Sequence, residues 1–271
     1  MLILRITKKQ PVSVVKILSI LTLVFASNIA CFSQSVELGG MLGGSNYHGD
    51  IAYNIVPKET NFSGGLFFKY NFNEYWAIRP TISYMKISGA DSNFQEYRLR
   101  NLSFRNNIYE LSNVFEFNFH PFSNRGIHER STFYAMAGVG VFLHKPEAQL
   151  NGEWHDLQSL KTEDQRYNLL QINVPFGAGV KHAVTPNFIV GFEAGWRKTF
   201  TDHLDDVSTV YPNLTGTGLA EQLSDRSYEV SENGRALASM GDQRGDPNLK
   251  DWYFQTAFTL AYRFTPIKCP F

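Results

Sequence analysis

Residues 252–264 read WYFQTAFTLAYRF, and this stretch decides the class of fold. Large apolar side chains occupy almost every second position, from Trp252 through Phe258 to Phe264. The residues between them are small or polar, and Arg263 is charged. Alternation with a period of two indicates a β-strand with one apolar face and one small or polar face.

Seven other segments upstream repeat this alternation, which makes eight candidate strands. Each is roughly ten residues or longer, the length that a tilted strand needs to cross the hydrocarbon layer of a membrane. After residue 34 no window contains eighteen consecutive apolar residues, so a helical membrane protein is excluded. The seven segments begin at Tyr109, Leu170 and Phe188, or lie around 36–46, 62–71, 75–87 and 132–144.

The connections between these segments alternate in length. Bacterial outer-membrane barrels have short periplasmic turns and long extracellular loops, and an even strand number returns the chain to the side that it entered. The sequence therefore predicts an all-β fold over residues 34–264, an eight-stranded antiparallel transmembrane barrel of the cell outer membrane with both ends in the periplasm. The short connections are 72–75, 121–131 and 183–187, and the long ones are 47–61, 88–107, 145–168 and 200–250.

The N-terminal segment has the pattern of a secretory signal peptide. Four basic residues precede an apolar run over residues 17–30, which small and polar residues follow. We expect cleavage after Ser33, so that residues 1–33 are removed. Lipidation at Cys31 is the competing interpretation, but a lipoprotein signal has a Leu-like residue three places before the cysteine, where this chain has Asn28.

Removal of the signal leaves one cysteine, Cys269, in a periplasmic C-terminal tail over residues 265–271. No disulfide can then form within the mature chain. A single thiol in an oxidising compartment is shielded, paired with another chain or tolerated, and we interpret Cys269 as a tolerated tail thiol.

Charge and composition bear on two classes of partner, nucleic acid and membrane lipid. Lys plus Arg and Asp plus Glu number 25 each, so the formal net charge is zero and no nucleic-acid role is supported. Aromatic residues make up 14% of the chain, with 22 Phe and 13 Tyr. That content suits rings at the membrane interface and in contact with lipid.

Charged residues also fall on the faces predicted to point inward. An eight-stranded barrel is just wide enough to be filled by its own side chains, so we expect neither a solute channel nor a small-molecule substrate. Charges enclosed there must be compensated, which favours a structural ion-pair network, although a proton or substrate site in the lumen stays open as the alternative. The predicted lumen charges are Glu37, Lys69, Arg79, Glu110, Glu116, Lys181, Glu193, Arg197 and Arg263.

No catalytic, cofactor-binding or metal-binding residue is predicted. The glycines of residues 39–49 lack the Lys-Ser or Lys-Thr pair of a phosphate loop, and the histidines lack the spacing of a metal site. His144 or His203 beside Ser208 and Asp205 could imitate an outer-membrane lipid-modifying hydrolase, but nothing in the sequence joins a nucleophile, a base and an orienting acid. Such an enzyme is the alternative function.

Three stretches together carry a family resemblance. The first runs from Glu37 to Asp50 and contains GG followed by SNYHGD, and the third runs from Tyr262 to Pro270. Together with the second stretch, which is given below, these two resemble the PorG-like outer-membrane β-barrel family of Bacteroidetes over nearly the whole mature chain. The second stretch consists of Gly241, Asp242, Gln243, Arg244, Gly245, Asp246, Pro247 and Asn248, followed by Asp251 and Trp252.

This resemblance implies a location and a role. It implies a non-enzymatic outer-membrane barrel that is a structural component of the type IX protein secretion system, which also serves gliding motility in some species. The implied partners are membrane lipid and a ring-forming periplasmic lipoprotein, and no catalytic residue or cofactor is carried over. A general structural barrel of the envelope is a further alternative.

Overall fold

The computed structural model describes residues 35–123, 129–213 and 218–264. The predicted signal peptide with Cys31 and the predicted tail with Cys269 lie outside the described residues. Among the helices in the described ranges, none has the length and apolar character to cross a membrane. The strands are β1 (Ser35–His48), β2 (Asn61–Asn71), β3 (Trp76–Ala90), β4 (Ser103–Asn118), β5 (Ser131–Leu150), β6 (Glu153–Asp156), β7 (Leu170–Ala183), β8 (Phe188–Thr199) and β9 (Trp252–Phe264); the helices are α1 (Leu157–Leu160) and α2 (Leu219–Ser224).

Eight of these strands close into an antiparallel barrel, which confirms the predicted fold class. Neighbours in the chain pair with one another, and the barrel closes where β1 pairs with β9 from Val36–Phe264 to His48–Trp252. The short strand β6 pairs with the end of β5 and extends it as a hairpin outside the barrel.

The strands are strongly staggered around the barrel. A path that follows paired residues from strand to strand starts at Leu38 of β1 and passes once round the barrel. It returns to β1 at His48, ten residues further along the strand. A stagger of this size corresponds to a strand tilt of about 40°. One end of the barrel carries the short connections and the other the long ones, and we call these the turn side and the loop side.

The alternation of side chains separates two environments. On β9, Ala257 and Ala261 point into the barrel and are 1% and 4% exposed, whereas Phe258 and Leu260 point outward and are 71% and 56% exposed. The close approach of β1 to β9 requires Gly43, because a Cβ at this position would lie 1.9 Å from the Thr256 carbonyl oxygen. The apolar surface is therefore on the outside and the small or polar surface on the inside.

Several strands extend further toward the loop side than the sequence predicted. β4 begins at Ser103 instead of Tyr109, and β5 continues to Leu150 instead of ending near residue 144. The outward residues of these extensions, such as Arg105 and Glu147, are polar. Hydrophobic alternation therefore ends where the strands rise past the apolar band, although their hydrogen bonding continues.

Candidate functional site: the charged lumen and the loop-side cap

The lumen holds all nine of the charges that the sequence placed on inward faces, and each is at most 5% exposed. Glu116 of β4 stands at the centre of the larger group. Its carboxylate lies 2.8 Å from Lys69 Nζ, 3.1 Å from Lys181 Nζ and 3.2 Å from Arg79 Nε. Three cations from three other strands thus share one carboxylate.

Two further carboxylates extend this group across the barrel. Arg79 donates to Glu193 at 2.7 Å, and the Tyr134 hydroxyl donates to the same carboxylate at 2.7 Å. Glu37 pairs with Arg263 at 2.8 Å and lies 3.7 Å from Lys69. Seven of the nine charges therefore form one connected network.

The other two charges, Glu110 and Arg197, lie nearer the loop side and 3.7 Å apart. Glu110 accepts hydrogen bonds from the Tyr253 hydroxyl at 2.6 Å and the Asn173 amide at 2.7 Å, and Arg197 donates to Gln255 at 2.5 Å. The nine groups comprise five cations and four carboxylates, so the lumen is nearly neutral. Each charge lies within 4 Å of an opposite one.

Phe122 covers the lumen on the turn side. Its backbone N–H donates to the Glu74 carbonyl at 3.1 Å, which holds the connection after β4 beneath the barrel. The buried ring has its centroid 4.7 Å from the Arg263 guanidinium carbon and 5.0 Å from Lys181 Nζ. An aromatic face over two cations both excludes water and stabilises their charge.

The long connections form a folded cap over the loop side of the lumen. We define this loop-side cap as residues 49–60, 91–102, 157–169 and the described part of 200–251. Leu204 and Val207 are fully buried against inward residues of the barrel, among them Tyr253. The loop between β8 and β9 therefore closes the barrel mouth with an apolar seal.

A hydroxyl shared by two buried carboxyl groups joins the cap to the barrel. Tyr47 Oη lies 2.6 Å from Asp205 Oδ2 and 2.7 Å from Asp251 Oδ1. A phenol has one proton to donate, so the second short contact requires a proton on one of the carboxyl groups. Burial raises the pKa of both Asp205 and Asp251, which keeps that proton bound. Their other oxygens accept the backbone N–H groups of Val207 and Leu204.

Arg100 joins three parts of the cap. It forms an ion pair with Asp91 at 2.6 Å and donates to the Asp50 carbonyl at 2.9 Å and to the Arg244 carbonyl at 2.6 Å. The first and second long connections are thereby tied to the last one.

Arg244 has a corresponding role, joining the third long connection to the last one. It is buried, pairs with Glu163 at 2.7 Å and donates to the carbonyls of Asp206 at 2.5 Å and Ser224 at 3.1 Å. Burial by itself would raise the pKa of Glu163, but the attraction of Arg244 and the hydrogen bonds from Ser208 and Thr209 together outweigh it and lower that pKa. Burial raises the pKa of Asp206 to about 6. In the tripeptide Arg-Gly-Asp that begins at Arg244, the first two residues are thus buried and Asp246 is half-buried.

The first and second of the stretches that carry the family resemblance meet in this cap. The Asp50 carboxylate accepts the Asp246 N–H at 3.1 and 3.2 Å, and a Cβ on Gly245 would lie 2.7 Å from the same carboxylate. Burial raises the pKa of Asp50 to about 6. The remaining members of the second stretch shape the backbone of the loop. Gly241 adopts a φ of 88°, the Asp242 carbonyl accepts the Tyr211 N–H, and Gln243 forms a β-bridge with Val210. The Pro247 carbonyl accepts Lys250 Nζ, and Asp251 directly precedes Trp252 at the start of β9.

The residues considered for a hydrolase do not meet in a catalytic arrangement. The Ser208 hydroxyl donates to Asp202 at 2.8 Å, and Asp205 is engaged with Tyr47. His144 and His203 instead both stack against the Tyr167 ring, with centroids 6.1 and 4.4 Å away. Within the described residues, no group of three or more His, Cys, Asp or Glu side chains could hold a metal ion.

Sequence reasoning did not single out Phe122 or Arg100. Both lie in connections, where no periodicity marks a residue as inward or outward. The Asn, Pro and Gly content around Phe122 indicated a turn but not that its ring would cover the lumen.

Comparison with a known domain family identifies the chain at the level of family. The family described as "Domain of unknown function (DUF6089)" matches residues 15–217, about three quarters of the chain. The protein belongs to this family. None of the curated proteins compared with the chain matches it.

The chain is also similar to several solved structures. Ail, the attachment invasion locus protein of Yersinia pestis, crystallised with the heparin analogue sucrose octasulfate, has 13% identity and a TM-score of 0.41, covering 85% of this chain and 97% of that chain. Neisserial surface protein A has 12% identity and a TM-score of 0.40, covering 86% and 98%. A major outer membrane protein from Thermus thermophilus has 12% identity and a TM-score of 0.41, covering 84% and 99%.

Proposed function

We propose that this protein is a structural barrel of the bacterial outer membrane that neither conducts solutes nor catalyses a reaction. The observation that carries the proposal is the inverted distribution of side chains, with paired charges sealed inside and large apolar residues exposed outside. In water this exposed surface would be a severe aggregation liability, whereas in a bilayer it is the surface that contacts lipid.

Two girdles of aromatic residues bound the apolar outer surface. On the turn side, the rings of Trp76 and Phe117 have centroids 4.8 Å apart, and on the loop side those of Trp196 and Phe254 are 4.7 Å apart. Tyr84, which belongs to the loop-side girdle, is eight residues from Trp76 on β3. At about 3.3 Å per residue and a tilt of about 40°, the girdles are about 20 Å apart along the barrel axis. This separation approaches the ~25 Å apolar band of outer-membrane barrels.

The filled lumen supports a structural role over a transport role. Phe122 covers the turn side, Leu204 and Val207 cover the loop side, and the ion-pair network occupies the space between. Opening a path would require breaking several buried ion pairs, each of which is costly to leave uncompensated.

Cell fractionation and gel mobility test the membrane assignment. We expect the protein in the outer-membrane fraction, with faster migration before boiling than after it, because a closed barrel has no free strand edges and resists detergent. A protein that fractionates with soluble proteins and has the same mobility before and after boiling would refute the proposal.

Cysteine labelling of intact cells tests the orientation. In a Cys269→Ser background, we expect a membrane-impermeant maleimide to label Ala236→Cys in the last loop. It should label Val184→Cys in the last turn only after the outer membrane is permeabilised. Both positions are exposed, so burial does not bias the comparison. The reverse pattern of labelling would invert the topology.

We further propose that the barrel is a structural component of the type IX protein secretion machinery, with a ring-forming periplasmic lipoprotein as its partner. The support for this role is the resemblance of three sequence stretches to the PorG-like family. With the long loops outside the cell, a periplasmic partner would meet the turn side, where Tyr75 and Val184 are exposed.

Affinity isolation from mild-detergent membranes tests the partner. We expect the ring lipoprotein to co-purify with the tagged wild-type protein and with a loop variant, Leu237→Ser. The paired turn variant, Tyr75→Ser with Val184→Ser, should lose it. Recovery that depends on the loop residue instead of the turn residues would contradict the proposal.

If Ser208→Ala abolished a lipid hydrolase activity while the barrel remained folded, the enzymatic alternative would be favoured.

A further inference from the structure

The outer surface of the barrel carries cations just beyond the loop-side aromatic girdle. On β3, Lys86 follows Tyr84 by two residues, and on β8, Lys198 follows Trp196 by two residues. Both side chains point outward, as do their aromatic neighbours, because residues two apart on a strand share a face. Together with two others they form the set that we call the basic row: Lys86, Arg105, Lys145 and Lys198.

The register places three members of the basic row on adjacent strands. Lys86 pairs with Asn107 of β4, which pairs in turn with Lys145 of β5, and Arg105 lies two residues beyond Asn107 on the same face. Lys198 pairs with Trp252 and lies 5.6 Å from the centroid of its ring. The cations therefore surround the barrel on more than one side.

The turn side lacks a matching row. The outward positions at that end of the strands are largely aromatic, and no Lys or Arg is among those that the structure describes. These positions include Trp76, Phe117, Phe133, Phe188 and Phe264. Among the described residues, cations at outward strand positions therefore border the apolar band on the loop side only, and the exposed Arg130 of the turn side lies in the connection just before β5.

The height of the basic row matches the headgroup layer. Lys86 is ten residues from Trp76 on β3, a separation of about 25 Å along the axis at a tilt of about 40°. An ammonium at this height lies at the edge of the hydrocarbon layer, within reach of lipid phosphates. Long basic side chains extend from such positions to the polar interface.

Carboxylates compensate part of the basic row but not all of it. Glu147 pairs with Arg105 at 2.8 Å and lies 3.5 Å from Lys145, and Asp156 lies 3.7 Å from Lys145. On the same surface Glu59 is hydrogen bonded to Ser88. In the described parts of the chain, no carboxylate forms an ion pair with Lys86 or Lys198, so these two lysines carry the uncompensated charge.

We propose that the basic row binds the phosphate groups of anionic lipids in the leaflet that surrounds the loop side of the barrel. The inference rests on the proposed membrane-spanning function and adds a lipid class and a leaflet to it. Lysine offers a compact positive charge to a phosphate, and each basic residue near an anionic membrane surface strengthens attraction by about fivefold in affinity.

Binding of a phosphorylated lipid to the full-length barrel in detergent micelles tests this inference. The probe is bisphosphorylated lipid A, compared with phosphatidylcholine, and the readout is the bound lipid counted by native mass spectrometry. We expect the wild-type protein to prefer lipid A over phosphatidylcholine. The double variant Lys86→Gln with Lys198→Gln should bind lipid A about 25-fold more weakly, which is about fivefold for each lysine removed.

A charge-matched control separates the basic row from general attraction. Lys58→Gln with Arg235→Gln removes two exposed cations from the cap and should leave lipid A binding unchanged. Equal loss in both double variants would overturn the proposal, as would no loss in the row variant or no preference for lipid A in the wild type. Displacement of lipid A by millimolar inorganic phosphate would assign the site to free phosphate and likewise overturn it.

The same samples separate this inference from the proposed function. Each variant is first run on a gel before and after boiling, which reports barrel closure independently of lipid binding. A closed barrel without lipid A preference refutes the lipid inference alone, whereas a protein that never shows the mobility shift refutes the barrel itself. If the double variant does not close, the single variants Lys86→Gln and Lys198→Gln decide, with about fivefold loss expected in each.

Discussion

Glu116→Gln tests how strongly the lumen network stabilises the barrel. The Glu116 carboxylate is fully buried and is shared by Lys69, Arg79 and Lys181 within 3.2 Å. Glutamine keeps the shape of the side chain but removes the charge, which leaves five cations and three carboxylates in the lumen. Removing one partner of a buried ion pair costs about 3–5 kcal/mol, and we expect at least about 3 kcal/mol here because three cations lose their common anion.

Urea unfolding of the purified protein, refolded in detergent micelles, measures this cost. Tryptophan fluorescence reports the transition, since Trp76, Trp196 and Trp252 lie on the outer surface of the barrel. The matched control is Glu229→Gln, which breaks an ion pair of 2.9 Å between Arg226 and Glu229 in the cap. That pair is partly exposed to solvent, so we expect its loss to cost less than about 1 kcal/mol.

A charge-balanced double variant completes the test. Adding Lys69→Met to Glu116→Gln removes one excess cation and replaces the lysine stem with an apolar chain of similar length. We expect part of the lost stability to return. The network does not act as the geometry indicates if the free energy of unfolding of Glu116→Gln lies within about 1 kcal/mol of the wild-type value. The same conclusion follows if adding Lys69→Met lowers the free energy of unfolding by as much as it does in the wild type.

The remaining predictions concern lipid exposure and the cap. The free energy of unfolding of Leu260→Ala in urea should be close to the wild-type value. Leu260→Arg should lower it by about 2–4 kcal/mol if the residue faces the middle of the bilayer. Ala261→Phe, on the lumen side, should cost about 1–3 kcal/mol through overpacking; a fully stable variant would show that the space is not filled. In the cap, burial raises the pKa of Asp205 above its value in the open state, so stability of the closed cap falls as pH rises through that raised pKa. Hydrogen exchange of the Leu204 amide, corrected for its intrinsic rate, should therefore speed up with pH in the wild type. In Asp205→Asn, which contacts Tyr47 without needing a proton, that slope should flatten, and an unchanged slope would contradict a proton on the carboxyl pair.

Periodicity in the sequence was enough to predict the barrel and the direction of its side chains. Leu260 faces out and Ala261 faces in, because a narrow lumen accepts only small or compensated polar groups and bulky apolar ones are left on the outer face. The prediction of strand ends was wrong for β4 and β5, since the outward residues of their extensions, such as Arg105 and Lys145, are polar and lie beyond the apolar band of the outer surface. Beyond the apolar band, backbone pairing continues without a hydrophobic pattern to mark it.

Which inward charges meet was decided only by the tertiary structure. Glu116 and Lys181 are 65 residues apart in the chain and 3.1 Å apart in the barrel. Their contact depends on the stagger of ten residues around the eight strands, which sets which inward positions lie at the same height. Alternation along one strand identifies a face, but it contains no information about the register of the strands across the lumen.

The cap depended on tertiary structure still more completely. Tyr47 meets Asp205 and Asp251 across 158 and 204 residues of chain, and Phe122 covers the lumen from inside a connection. The composition of a loop indicates turns and polar surface, and no repeating interval shows which of its residues will be buried. The sequence by itself therefore determined a barrel with an apolar outer face and a polar inner face. The hydroxyl shared by Asp205 and Asp251 and the seals at both ends arose only when distant segments came into contact, because burial and hydrogen bonding depend on distance in space and not on separation along the chain.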